Sequence, residues 1–153
     1  MSKIYRHYGS EFFDYYQYNP IKNIGHFSKP SGGFWGSPKD SYADWYSWCL
    51  ENDFNTDKLD LYFDFFINDD SKVIEIESHK DFIKLRDDGF AIDNRYLTSC
   101  LKNDIVLDYE KLLEYGYDAI EVFLNDETYW DLYGWDCDSI LIMNPKIIVP
   151  HMI

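Results

Sequence analysis

The chain has few cysteines and no long apolar run. Its 153 residues include three widely separated cysteines, Cys49, Cys100 and Cys137. Without a CxxC pair or a histidine at ligand spacing, these cysteines form neither a disulfide framework nor a zinc site. No stretch approaches the roughly 18 apolar residues of a membrane span, and the first residues, MSKIYRHYG, lack the apolar segment of a signal peptide. We therefore expect a cytoplasmic protein with reduced thiols, no metal and no membrane contact.

Basic residues are also scarce. Fourteen Lys and Arg stand against 28 Asp and Glu, which leaves a formal net charge of -14. Such a field repels phosphate backbones, so non-specific binding of nucleic acid is disfavoured. The same charge favours a basic protein partner, although acidity also serves simply to keep the protein soluble.

Several familiar catalytic motifs are missing from the sequence. It contains no GxGxxG, no GxxxxGK[ST], no HExxH and no GxSxG. Dinucleotide redox chemistry on a Rossmann fold, P-loop hydrolysis, zinc proteolysis and serine hydrolysis therefore lose their usual sequence support.

Aromatic residues, by contrast, are abundant. The chain has 14 Tyr, 11 Phe and 5 Trp, and hydrophobic residues make up 46% of it. A chain of this length buries roughly two-thirds of its unfolded surface, which is enough for a core but not for all of these rings. Many rings are therefore expected at the surface or along a groove, where Tyr and Trp suit half-wet sites.

The order of the predicted strands indicates the fold class. No linker or repeat divides the chain, so residues 1–153 are expected to form a single domain. Strands do not alternate regularly with helices, which predicts an α+β fold with a mixed or antiparallel sheet and peripheral helices. The strands are expected at residues 3–8, 34–37, 59–67, 72–77, 117–124, 138–143 and 146–149.

Helix starts are marked by capping residues. Ser78 and Asp108 each precede an apolar helical pattern, and these helices are expected to stop at Gly89 and Gly116. Further helices are predicted from a Ser10 cap through residue 16, from an Asp40 or Ser41 cap to residue 52, and as a turn at 126–133. Residues 68–71 favour a hairpin between the third and fourth strands, and residues 90–107 a loop with one helical turn.

Two segments carry candidate ligand-binding residues. The segment Tyr5-Arg6-His7-Tyr8-Gly9-Ser10 ends the first strand, where a His beside Gly and Ser can hold a polar ligand or simply lie on the surface. In the second segment, Gly33-Phe34-Trp35-Gly36-Ser37, the glycines allow close backbone approach and Trp35 can stack on a ring. A plain turn leading into a strand is the alternative. Trp45, Trp48 and Cys49 share a helix face and are expected to pack in the core.

Three carboxylates in the C-terminal half are candidate catalytic residues. Glu121 alternates with Ala119 and Phe123 in a strand and so faces an apolar surface. Asp136 and Asp138 lie two apart at the entry to the next strand, which predicts that they share a face. Carboxylates that converge on a cleft can stabilise a developing cation. The alternative is that these residues only occupy turn and helix-cap positions in an acidic chain.

Taken in order, these segments resemble the ADP-ribosyltransferase superfamily, in the branch whose first motif contains histidine. That branch includes the poly-ADP-ribose polymerases and several small bacterial and phage proteins. The segment around His7 is similar to the first motif, with Tyr8 between His and Gly. Gly33 to Ser37 is similar to the second, and Asp136-Cys137-Asp138-Ser139-Ile140-Leu141-Ile142-Met143-Asn144-Pro145 resembles the third. Gly116-Tyr117-Asp118-Ala119-Ile120-Glu121-Val122 resembles the preceding strand.

The resemblance implies a split ADP-ribosyltransferase-like sheet and transfer of ADP-ribose from NAD, as substrate, to a protein target. It implies that His7 and Ser10 bind the dinucleotide, that Trp35 or Tyr8 stacks on nicotinamide, and that Gly33 and Ser37 lie close to it. The usual glutamate of the third motif is absent, so Asp138, Glu121 or Asp136 serves as catalytic acid. The alternatives are a non-enzymatic acidic inhibitor or DNA mimic, and a hydrolase or binder of NAD or ADP-ribose.

Overall fold

The computed structural model describes residues 3–24, 29–41, 43–93, 105–132 and 134–151. The strands are β1 Tyr5–Tyr8, β2 Phe34–Pro38, β3 Tyr62–Ile67, β4 Val73–Ile76, β5 Ala91–Asp93, β6 Ile105–Leu107, β7 Ala119–Val122, β8 Ser139–Ile142 and β9 Ile148–Pro150. The helices are α1 Trp45–Asn52, α2 His79–Asp87, α3 Tyr109–Glu114 and α4 Thr128–Asp131.

Seven strands form one mixed sheet in the order β4-β7-β8-β2-β1-β3-β9, and β5 and β6 form a separate pair. β4 and β7 run parallel, whereas the other strand pairs within the described residues are antiparallel. This confirms the predicted α+β class with a mixed, mostly antiparallel sheet. Its more specific likeness to ADP-ribosyltransferases stays a prediction.

Strand β2 changes partner along its length. Its residues Phe34, Trp35 and Gly36 pair with β8, whereas Ser37 and Pro38 pair with β1. The half formed by β1, β3 and β9 and the half formed by β8, β7 and β4 are therefore joined through β2. An added Cβ on Gly36 would come within 2.7 Å of the Phe65 ring, so only glycine fits at this junction.

Side chains alternate between two cores on the two faces of the sheet. On one face, Ile120 and Leu141 pack against residues of α2 and α3 such as Phe82 and Leu112. On the other face, Ala119 of β7 and Ile140 and Ile142 of β8 form a second core. They pack with Tyr5 of β1 and Phe65 of β3. The large aromatic content is thus divided between two cores and the surface, as predicted.

The helix caps were predicted with uneven success. Ser78 and Asp108 accept hydrogen bonds from the N–H groups of Asp81 and Lys111, which confirms them as the caps of α2 and α3. Helix α1 begins later than expected, because Asp44 is its cap and the Ser41 hydroxyl instead donates to Asp138. The helix predicted from Ser10 is wrong.

In place of that helix, a short 3-10 turn at Tyr15–Gln17 is capped by Asp14. The predicted hairpin at residues 68–71 is also wrong. A turn is present there, since the Ser71 N–H donates to the Asn68 carbonyl. However, β4 is the strand at one edge of the sheet, and β3 is next to the strand at the other edge. β3 pairs with β1 and β9, while β4 pairs in parallel with β7, where the Asp118 side chain also holds Lys72 N–H.

The helical turn predicted within residues 90–107 is absent from the described part of this segment. Ala91–Asp93 and Ile105–Leu107 pair as β5 and β6, and residues 94–104 lie outside the described residues.

Within the described ranges, no helix has the length and apolar character needed to cross a bilayer.

Candidate functional site

A cavity of about 230 Å³ opens where β1 and β8 diverge on either side of β2. The diverging strands leave space that the backbone cannot fill, and side chains from both halves of the sheet and from the start of α1 surround it. We call it the aromatic pocket; its lining residues are Arg6, His7, Tyr8, Lys29, Trp35, Gly36, Ser37, Trp45, Trp135, Asp136, Cys137 and Ser139.

Three indoles and one phenol form the walls of the aromatic pocket. Trp135 is 1% exposed and meets Trp35 edge to face, with 4.8 Å between ring centroids. Trp45, at the first position of α1, stacks on Trp48 at 5.1 Å, and Tyr8 lies beside Tyr46 and Tyr62. The walls therefore present aromatic faces that are already held in place by other rings.

His7 braces the strand junction. Its Nδ1 lies 2.6 Å from the Trp35 carbonyl oxygen, across the gap where β1 and β2 cease to pair. Its ring stacks on Phe34 at 4.2 Å, on the face of the sheet opposite Arg6 and Tyr8. Burial lowers the pKa of His7, and the bond to the carbonyl opposes that shift only in part. The imidazole is therefore neutral at pH 7, with Nδ1–H as donor.

Ser37 fixes the wall that carries Trp45. Its side chain is buried, and Oγ accepts a hydrogen bond of 3.1 Å from the Trp45 backbone N–H. Cys137 lies beside it, with Sγ 3.8 Å from Ser37 Oγ and 3.4 Å from Ser139 Oγ. Burial raises the pKa of the Cys137 thiol to about 11, so it is a neutral side chain and not a nucleophile at pH 7.

Asp136 is the one carboxylate among the described residues that lines the aromatic pocket. Burial raises the pKa of Asp136, and the positive charge of Lys29 opposes the increase. Within the described residues its carboxylate has no hydrogen bond or ion pair. Lys29 also borders the cavity, and its Nζ lies 4.9 Å from the centroid of the Trp35 ring. Asp136 is therefore a partly buried carboxylate at the cavity.

Asp138 lies outside the aromatic pocket, and both of its carboxylate oxygens accept hydrogen bonds. Its Oδ1 accepts the Leu124 N–H at 2.8 Å, and its Oδ2 accepts the Ser41 hydroxyl at 2.9 Å. The prediction that Asp136 and Asp138 share a face is wrong, because β8 begins only at Ser139 and the residues before it are not extended. Asp138 joins the loop before α1 to the end of β7.

Glu121 points into the opposite side of the sheet. Its Oε1 accepts the Tyr5 hydroxyl at 2.9 Å, and its Oε2 lies 2.5 Å from Lys3 Nζ. A second cavity of about 290 Å³ opens there, and Asp69, Glu75 and Ser71 also line it. Both oxygens of the buried Glu121 are thus paired, and the residue is remote from the aromatic pocket.

Two other candidate residues lie away from the aromatic pocket. Ser10 donates its hydroxyl to the carbonyl of Phe12, two residues along the chain. Gly33 has φ +74°, and a Cβ there would come within 2.6 Å of Leu141, so this glycine is required by the fold alone.

Five of the nine candidate residues thus meet around one cavity: His7, Tyr8, Trp35, Ser37 and Asp136. The sequence analysis did not assign Arg6, Lys29 or Trp135 to a site, although Arg6 lies beside His7 in the first candidate segment. Trp45 was assigned to the core from its helical spacing, but only Cys49 of that face is fully buried. The occurrence of two tryptophans within residues 130–135 was a local signal that could have drawn attention to Trp135.

Comparison with known proteins adds no identity to this geometry. No family model matches the chain, and neither a curated protein nor a solved structure does so.

Proposed function

We propose that the aromatic pocket binds the nicotinamide end of NAD and that the protein transfers ADP-ribose from NAD to a protein target. The observation that carries the proposal is Asp136, a partly buried carboxylate with no partner among the described residues, in a cavity walled by Trp35, Trp45 and Trp135. A cleft of this composition favours a cationic ring and the cationic transition state derived from it.

Binding follows from the charge of the ligand. The nicotinamide of NAD is a positively charged pyridinium, which aromatic faces and a carboxylate both attract. The cavity, at about 230 Å³, is smaller than the roughly 300–1,000 Å³ of sites that enclose a whole drug-sized ligand. Only one end of the dinucleotide enters it, and the diphosphate lies at the mouth, where Lys29 supplies a cation.

The chemistry requires one bond to break and one to form. The bond between nicotinamide and ribose C1′ breaks, the electron pair leaves with nicotinamide, and the positive charge passes to the ribosyl oxocarbenium ion. The Asp136 carboxylate stabilises that ion electrostatically. A nucleophile of the target then bonds to C1′ and gives up its proton.

His7 and Ser37 position the aromatic walls of the pocket. His7 holds the Trp35 carbonyl through Nδ1, and Ser37 holds the Trp45 N–H, so each fixes one aromatic wall. Asp138 and Glu121 are assigned structural roles, since their oxygens are already engaged by Leu124, Ser41, Tyr5 and Lys3. Hydrolysis of NAD by the same site differs only in that water is the nucleophile.

The test follows nicotinamide release and label transfer together. Purified protein is incubated with labelled NAD, alone and with cell lysate, for the wild type and for Asp136→Asn, Asp138→Asn and Glu121→Gln. We expect release and protein labelling for the wild type, and neither for Asp136→Asn.

The other two variants are the matched controls, since each replaces one carboxylate by an amide. If each of them retains its fold, its activity is expected to persist. Free ADP-ribose without protein labelling would establish a hydrolase in place of a transferase. Absence of both release and NAD-induced quenching of tryptophan fluorescence would overturn the proposal.

A further inference from the structure

A second surface lies next to the aromatic pocket and is both apolar and acidic. On it, Tyr46, Leu50, Phe54, Leu61 and Tyr62 are each more than 40% exposed. Every residue of 50–62 except Leu59 is exposed. We call this region of α1 and the segment leading into β3 the α1 surface.

The rings of the α1 surface are continuous with the pocket walls. Trp45 and Trp48 each meet Phe54 edge to face, with 6.0 and 5.6 Å between ring centroids. The ring centroid of Tyr8 lies 5.8 Å from that of Tyr46 and 5.9 Å from that of Tyr62. Since Trp45 and Tyr8 also line the pocket, a molecule bound to these rings would lie beside its mouth.

The exposed carboxylates of the α1 surface form no ion pair with the residues that the structure describes. Lys58 is the only cation in residues 44–62. Within the described residues, no ion pair involves any of the four exposed carboxylates there, which are Glu51, Asp53, Asp57 and Asp60. A purely apolar partner would desolvate them without compensation, and a nucleic acid would be repelled.

The protein itself shows which side chain suits this combination. Arg6 lies 4.0 Å above the Tyr62 ring and donates two hydrogen bonds to Asp64, from Nε at 2.7 Å and Nη2 at 3.1 Å. A guanidinium can stack on an aromatic ring and bind a carboxylate at the same time, which an ammonium does less well.

We propose that the α1 surface docks an arginine-containing basic segment of a partner protein, next to the mouth of the aromatic pocket. The proposal goes beyond the enzymatic one, because docking needs no NAD and survives if the pocket proves inactive. Its physical basis is charge complementarity combined with guanidinium stacking on exposed rings.

The first experiment measures binding of fluorescent peptides in the absence of NAD. The probes are a Gly/Ser peptide carrying several arginines and versions in which lysine, citrulline or glutamate replaces each arginine. Fluorescence anisotropy at low salt is expected to rank arginine above lysine, with no binding of citrulline or glutamate peptides. Equal binding of the citrulline peptide would overturn the proposal, because citrulline keeps the shape and loses the charge.

The second experiment locates the binding. One variant neutralises the α1 surface: Glu51→Gln, Asp53→Asn, Asp57→Asn and Asp60→Asn. The control variant neutralises exposed carboxylates elsewhere: Asp70→Asn, Glu114→Gln, Asp126→Asn and Glu127→Gln. The net charge changes equally in both, so only location differs. We expect about tenfold weaker binding of the arginine peptide for the first variant and less than about twofold for the control.

A third comparison isolates the rings. Tyr46→Ala with Phe54→Ala is compared with Phe12→Ala and Tyr16→Ala, which remove rings that are more exposed still and do not belong to the α1 surface. The first pair should weaken binding of the arginine peptide more than that of the lysine peptide. Equal losses in both pairs would overturn the proposal in favour of a diffuse charge effect. Tryptophan quenching by a neutral oligosaccharide, unaffected by the carboxylate variants, would overturn it in favour of a glycan site.

Discussion

Asp136 and Glu121 are two carboxylates that lie at cavities on opposite faces of the same sheet, the first partly buried and the second fully buried. Glu121 receives a hydrogen bond from Tyr5 and an ion pair from Lys3, so both of its oxygens are satisfied. Asp136 faces three indoles and has no hydrogen-bond partner among the described residues, and burial raises its pKa. This difference in partners is the reason why we propose Asp136, and not Glu121, as the functional carboxylate.

The largest expected effect is on catalysis at Asp136. Asp136→Asn keeps the size of the side chain and removes its charge, so the proposed stabilisation of the ribosyl cation would be lost. We expect nicotinamide release to fall by roughly 100-fold or more, measured under single-turnover conditions. Glu121→Gln serves as the control on the opposite face. A loss as large in the control as at Asp136 would erase the contrast between the two carboxylates.

The next effect is on stability at Glu121. Glu121→Ala leaves the buried Tyr5 hydroxyl and the Lys3 ammonium without their acceptor. The free energy of unfolding should fall by about 1–3 kcal/mol, measured by urea denaturation. An unchanged denaturation midpoint would show that the paired carboxylate does not support the fold.

A smaller effect is expected from one aromatic wall. Trp45→Leu retains an apolar side chain at the partly exposed start of α1 but removes the indole face. We expect NAD binding to weaken by about tenfold, measured by calorimetry. Trp130→Leu, at an exposed position that does not line the cavity, is the control and should bind NAD like the wild type.

The pH dependence sharpens the comparison further. Because the pKa of Asp136 lies above its ordinary value of 3.8, activity at saturating NAD should begin to fall at a higher pH than for an exposed aspartate. Lys29→Met removes the charge that opposes the shift, so the acid limb of the kcat profile should move to still higher pH. A shift in the opposite direction would contradict the assignment of Asp136.

The smallest effect is a gain in stability. Ionising a desolvated carboxylate disfavours the folded state, so Asp136→Asn should raise Tm slightly at neutral pH. The folded pKa is raised, so this penalty is absent below the unfolded pKa near 3.8 and develops as the pH rises through the folded pKa. The Tm difference from the wild type should therefore vanish in acid. A decrease in Tm at neutral pH would show that Asp136 has stabilising partners.

Part of the site could be predicted from the sequence because its residues lie in short, distinctive segments. His7, Trp35 and Ser37 stand in β1 and β2, and pairing of these strands brings them together. Ranking the carboxylates was beyond a sequence reading, since Asp136 and Asp138 differ only in what lies around them. Asp138 meets the N–H of Leu124 and the hydroxyl of Ser41, and neither contact leaves a trace in the local pattern.

The sequence by itself determined the local elements and the chemical character of the protein. The Ser78 and Asp108 caps, the alternation in β4 and the acidic, aromatic composition depend on neighbours within a few residues. Only the tertiary structure decided which strands pair, why β3 and β4 separate, and which carboxylate faces the indoles. The physical reason is that these choices depend on burial and pairing summed over the whole chain, which no short window of sequence contains.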